Sequence, residues 1–230
     1  MLRDAREQRG LFTEAIEASI LLGQVRLNVA ADTAAAVREV DAAVARHPLS
    51  TIDARERPYV RLARFYVGAG RADRAATLIA EYDSIVPRDY RASDAWLLIR
   101  TRALLRMARG EIAEGVAELR GPERGSTSVA TIVELARGYE RLNQPDSALA
   151  AYERYFAARS LVRVEDDGLY LPQALARVGE LREARGDTVA ALDAYERLLR
   201  LWDEAEPTVR RRRASIEQHA AALRPRTRLR

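Results

Sequence analysis

The residues able to do chemistry are few, and their types restrict what that chemistry can be. All 38 side chains counted as Lys or Arg are Arg, and there is no Cys. Without thiols there is no disulfide, no thiolate nucleophile and no cysteine zinc site. Without lysine there is no P-loop lysine, no Schiff base and no kinase strand lysine. The two imidazoles, His47 and His219, lie far apart in sequence, and no His-Glu-x-x-His occurs. His47 precedes Pro48 at the end of a helical pattern, where the helix dipole accounts for it. Gly68-Ala69-Gly70 follows a helical pattern and not a strand, so it reads as a hairpin turn and not as a dinucleotide loop. Glu165-Asp166-Asp167-Gly168 lacks the alternating ligands and terminal Glu of a calcium loop and reads as a solvated connection. No cofactor, metal or catalytic set is expected from these residues, and the chain is not read as an enzyme.

One charged segment remains. Against 34 acidic residues the net charge is +4, yet from Pro207 to Arg230 eight Arg face Glu217 alone, so the rest of the chain is slightly acidic. Arg210 to Arg213, with Arg224, Arg226, Arg228 and Arg230, could hold phosphates. No aromatic residue interleaves them, so base stacking is unsupported. A solvated helix face with a basic end is the plainer alternative, and both readings stay open. High pI alone is discounted, because elsewhere the two signs are interspersed.

The elements that must position these side chains read as helices throughout; no stretch alternates apolar and polar long enough for a strand. Tyr59, Leu62, Ala63 and Tyr66 share one helical face. Gly70-Arg71-Ala72-Asp73 breaks it, and Ala75, Ile79 and Tyr82 form a second stripe closed by Pro87. A second copy runs through Ile132, Leu135, Ala136 and Tyr139 to Ala148, Tyr152 and Tyr155, with Asn143-Gln144-Pro145-Asp146 as its turn. A third runs through Leu175, Val178 and Gly179 to Gly186, Ala191, Tyr195 and Leu198, with Arg182 where a Tyr is expected. A weaker copy places Trp96, Ile99 and Ala103 on the core stripe before Gly110, Gly115 and Leu119, and ends at Gly121-Pro122. At the N-terminus Ala36, Val40 and Ala43, closed by Pro48, would pair with a helix between Leu11 and Ala30.

This phrase resembles the tetratricopeptide repeat, over roughly residues 11 to 203. The resemblance implies an all-α fold, a right-handed superhelical stack of about five such hairpins with a C-terminal capping helix. The expected division is a 1–10 tail, an 11–206 repeat domain, a 207–224 basic cap and a 225–230 basic tail. The cap would cover the last hairpin with Val209, Ile216, Ala220 and Leu223. Small residues at Ala36, Ala75, Gly115, Ala148 and Ala191 mark the second helices; their spacings of 39, 40, 33 and 43 exceed the standard period in all but one case, so some connections are long. Pro58, Pro172 and Pro207 are expected to precede helices, and Ser93-Asp94 and Ser126-Thr127 to cap them. The tyrosines are expected to pack with their hydroxyls exposed.

In the repeat family the first helices line a groove. By that resemblance the lining includes Arg57, Val60, Arg64 and Val67, then Arg100, Leu104 and Met107. Val133, Arg137, Glu140 and Arg141 follow, and finally Glu180 and Glu183. Arg64 and Arg137 are the expected contacts to a protein or peptide ligand carrying carboxylates. The run from Asp146 through Glu206 is also similar to repeat-bearing C-terminal regions of bacterial serine/threonine kinases and transcriptional regulators, over about residues 126 to 223. That implies a sensing, docking or scaffold part in signalling, with catalysis elsewhere. No segment reads as a signal peptide or membrane span, and a cytoplasmic location is expected. The sequence sets neither the partner nor the oligomeric state.

Overall fold

The computed structural model describes residues 11–125, 129–158, 163–203 and 209–227. The expected N-terminal tail, the Ser126-Thr127 cap, Pro207 and the side chains of the basic tail lie outside the described residues. Among the described residues there are eleven α-helices and no strand. They are α1 (Phe12–Asn28), α2 (Thr33–Arg46), α3 (Tyr59–Gly68), α4 (Ala72–Ile85), α5 (Ala95–Ala108) and α6 (Ile112–Gly125), then α7 (Val129–Arg141), α8 (Pro145–Ala157), α9 (Arg163–Ala184), α10 (Thr188–Leu201) and α11 (Arg210–Thr227). Two compact units result. One holds the described residues up to Gly125 apart from Asn28–Ala30; the other holds Asn28–Ala30 and everything from Val129 onward.

The first ten helices pair consecutively, and each pair turns on one residue in the left-handed region. These are Ala31 (φ 57°), Gly70 (φ 72°), Gly110 (φ 98°), Asn143 (φ 55°) and Gly186 (φ 73°). Glycine carries no Cβ penalty there, and Asn tolerates the conformation better than most residues. Asn143 thus supplies the turn in which the sequence lacks glycine. After four of these residues the next N–H reaches back five residues along the first helix. Arg71 bonds to Tyr66 O (2.8 Å), Glu111 to Arg106 O (3.1 Å), Gln144 to Tyr139 O (2.9 Å) and Asp187 to Arg182 O (3.0 Å). This bond satisfies a helix-end carbonyl that would otherwise be orphaned. In the first pair Asp32 N bonds to Arg26 O (3.0 Å), one residue further back.

Small residues let the paired helices approach closely. Ala36, Ala63, Ala75, Ala103, Ala136, Ala148 and Ala191 are completely buried. A Cβ on Gly179 would meet the Tyr195 ring at 2.6 and 2.8 Å, and one on Gly115 would meet the Ala103 carbonyl oxygen at 2.6 Å. In the first pair this role falls to Gly23, whose Cβ would meet Phe65 at 2.8 Å and Val40 at 2.9 Å. The extra residue in that turn displaces Gly23 from the spacing of the other copies, which is why the sequence pattern passes over it.

In the first unit Ile16, Val40, Tyr59, Leu62, Phe65, Tyr66, Ile79 and Tyr82 belong to one core. The second unit has a cluster around Val133, Tyr152, Tyr155 and Tyr170, and another around Leu175, Tyr195, Leu198 and Trp202. Val209, just before α11, and Ile216, Ala220 and Leu223 of α11 complete the latter, so α11 covers the apolar side of α10 as expected. The long spacings are taken up by 3-10 turns at Leu49–Thr51 and Arg88–Asp94, and by the 22 residues of α9.

Several local expectations are corrected. Pro172 lies inside α9 and does not precede it. It forfeits one helical bond, to Gly168, whose exposed position lets water take the carbonyl. The acidic cluster before it belongs to the first turns of α9 and is not a connection. α6 passes through Gly121-Pro122 to Gly125, the missing N–H falling in the final turn. Asp94 makes no side-chain cap bond; instead it accepts from Tyr82 (3.4 Å).

Candidate protein-binding surface

The tyrosine hydroxyls are engaged and not free. Tyr152 donates to Glu140 (2.7 Å) and Tyr195 to Glu183 (2.8 Å), in each case to an acid 12 residues earlier on the first helix of the pair. Tyr82 donates to Asp94 and Tyr155 to Asp167 (2.5 Å), each to an acid 12 residues later. Tyr66 donates to Asp41 (2.6 Å), which also takes Arg74 (2.7 Å), whose guanidinium sits 4.2 Å over the Tyr66 ring. Burial in the first place, then the neighbouring carboxylate, pushes the Tyr66, Tyr82, Tyr152 and Tyr195 hydroxyls above the usual tyrosine value. These repeats of spacing, invisible as an apolar pattern, could have been found by aligning acids against tyrosines.

This network consumes much of the expected groove in the second unit. Glu140, besides Tyr152, takes Arg177 Nε (2.7 Å), and Arg177 also pairs with Glu180. Hydrogen bonding to Glu140 raises Arg177 above the ordinary guanidinium value. Glu183 takes Tyr195 and lies 3.0 Å from His219 Nδ1. Arg137 donates to Gln173 and stands 5.9 Å over the Tyr170 ring. Val133 is buried, contrary to its groove assignment. Arg141 is exposed and Glu180 half-buried.

Two hairpins carry Arg in place of the expected Tyr, and both answer it in the same way. Arg106 pairs with Glu111 (2.6 Å) and Glu118 (2.8 Å). Arg182 pairs with Asp187 (3.1 Å) and with Glu153. Glu111 and Asp187 occupy the same place, directly after the left-handed glycine. The hairpins that keep Tyr66 and Tyr139 have Arg71 and Gln144 there.

The first unit revises the groove further. Arg57 donates to Ile52 O (2.8 Å) and Tyr59 Oη (3.0 Å), so it ties down its own connection. Arg91 does the same in the next, donating to Val86 O (2.8 Å) and Asp83 O (2.7 Å). Val60 is buried, and Arg100 and Met107 are only 2% and 3% exposed. Met107 fills the space left by Gly115. Arg64 and Val67 are half-buried, and Val67 packs on the core.

Two of the three residues assigned to the core stripe of α5 open instead, while Ala103 stays buried. Trp96 and Ile99 are 46% and 48% exposed. Leu97, Leu98, Thr101 and Leu105 turn inward in their place. The reason lies on the same face of α5: Ile99, Arg102 and Arg106 stand at i, i+3 and i+7 and so share one side. Arg102 (to Asp83, 2.6 Å) and Arg106 seek carboxylates at the surface, which keeps that side outward. Ile85 at the end of α4 and Tyr90 in the 3-10 connection are exposed as well. The Arg55 guanidinium, held by Asp53 (2.8 Å), lies 5.4 Å over the Tyr90 ring. Large apolar and aromatic side chains left in water along one connection are what a protein contact site needs.

Among the described residues no His/Asp/Glu group could hold a metal, and no helix is long and apolar enough to cross a membrane. No protein-family model matches the chain, and no curated protein matches it.

Proposed function

We propose that this chain is a tetratricopeptide-type adaptor that binds a protein or peptide partner, without chemistry of its own, in the cytoplasm. The observation that carries the reading is the recurrence of one hairpin design. Five times a left-handed residue turns the chain, and at the crossing of each helix pair a buried Ala or Gly brings the helices together. Such pairs bury their stripes by stacking, and the surface left over serves recognition. A scaffold or sensing part of a signalling assembly, as the similarity to kinase- and regulator-associated repeats implies, fits this design.

The anchor assigned to the partner is Trp96 with Ile99, flanked by Tyr90 and Ile85. Arg64 remains a candidate for a carboxylate of the same ligand. Aromatic residues of this kind dominate binding energy where they become desolvated. The test is affinity capture with the intact chain and with a W96S/I99E variant, followed by titration of the purified captured protein. Trp96 is half-exposed and Trp202 buried, so binding at this face should shift tryptophan emission to the blue. A captured protein that binds the variant as tightly as the parent, with no emission change, would remove this face from consideration.

A further inference from the structure

The arginine run at the start of α11 divides in two. Arg212 donates to the Asn28 and Val29 carbonyls (3.0 and 2.7 Å) and lies 5.5 Å over the Trp202 ring. Its burial lowers it from the ordinary guanidinium value. Arg213 donates to Leu199 O (3.1 Å) and Trp202 O (2.6 Å), and pairs with Glu217 (2.9 Å). These two hold the cap in place. Arg210 and Arg211 are exposed, and among the described residues neither has a carboxylate partner.

Their position is costly for the fold. They stand in the first turn of α11, where there is no acidic residue and the helix dipole is already positive. Cations there oppose the dipole. Arg212 and Arg213 offset it with bonds to carbonyls; Arg210 and Arg211 have no such bond among the described residues. The same end carries the chain's excess positive charge, the rest being slightly acidic.

We infer that Arg210 and Arg211 contact the phosphate backbone of a nucleic-acid duplex without reading its bases. Guanidinium forks match phosphate oxygens. α11 contains no Phe, Tyr or Trp, so it offers no platform on which single-stranded bases stack. Its large apolar residues Ile216 and Leu223 are buried and only alanines of its apolar residues face water, so it presents no bulky apolar face to a bilayer. This surface shares no residue with the Trp96 face, and the two readings stand or fall independently.

The test is fluorescence anisotropy of a short labelled DNA duplex with the full chain and with an R210A/R211A variant, across salt. Parallel arms use the single strand, vesicles of phosphatidylcholine with phosphatidylserine, and polyglutamate. Losing two phosphate contacts should make the log–log salt slope shallower by about 1.8, so raising salt from about 50 to about 200 mM weakens the variant roughly 12-fold less than the parent. The variant should melt at or above the parent, since it relieves the dipole conflict. Absence of duplex binding at about 50 mM salt, an unchanged slope in the variant, or a lower melting temperature each overturns the inference. So does preference for the single strand, the vesicles or polyglutamate over the duplex.

Discussion

Two glycines of α9 give opposite answers to the same substitution. Gly168 is exposed, with nothing within 4 Å of a would-be Cβ, whereas a Cβ on Gly179 would meet the Tyr195 ring at 2.6 and 2.8 Å. Gly168→Ala gains only helix propensity, about 1 kcal/mol. Gly179→Ala gains the same, but the ring it strikes cannot swing away cheaply. Tyr195 is completely buried and its hydroxyl is held by Glu183 at 2.8 Å. Overpacking costs about 1–3 kcal/mol, and a lost bond to a charged acceptor about 1.5–3 kcal/mol. The net loss is about 2 kcal/mol or more, which lowers the melting temperature by about 4–8 °C in a chain of this size. Trp202 belongs to the same core as Tyr195, so its fluorescence in a W96F background follows the relevant transition. Gly168→Ala should raise that transition and Gly179→Ala lower it. If both raise it, the close crossing of α9 and α10 is wrong, and with it the reason for a glycine there.

Ala31 has φ 57° where three other turns use glycine. Ala31→Gly should therefore stabilise, and Gly70→Ala destabilise, by about 1 kcal/mol each in denaturant midpoints. Ala75→Leu, at a completely buried crossing, should cost about 1–3 kcal/mol by overpacking; an unchanged melt would count against the α3–α4 pairing. Tyr66, Tyr82, Tyr152 and Tyr195 are all raised above the ordinary tyrosine value of about 10. The folded chain holds these protons more tightly than the unfolded one. Stability from this source is thus complete below about pH 10 and falls as pH rises above it. Phenolate absorbance should show these four tyrosines ionising only as helicity is lost; their titration before unfolding would contradict the network.

The turns and crossings were legible because they are set by local requirements: Gly70, Gly110 and Gly186 for a left-handed turn, and Ala75, Ala148 and Ala191 for room. Gly23 escaped because one added residue shifted its register. The binding surface was less legible. The resemblance assigns the groove by place in the repeat, but Arg137 and Glu140 bond to other helices, Arg57 bonds within its own connection, and Arg100 and Met107 are enclosed by neighbouring packing. Trp96 and Ile99 look like core residues by type, yet both are about half exposed; Ile99 shares its side with Arg102 and Arg106, which pair with surface carboxylates.

The sequence by itself determined that the chain is helical, where it turns and which small residues meet in all but the first pair, and that a last helix covers α10. Those features follow from propensity, periodicity and steric size, which act within a few residues. Only the tertiary structure decided which charged groups are spent inside the protein and which side chains face water. Burial and many of the polar contacts depend on groups 12 to 184 residues away, and no local pattern specifies where those will be.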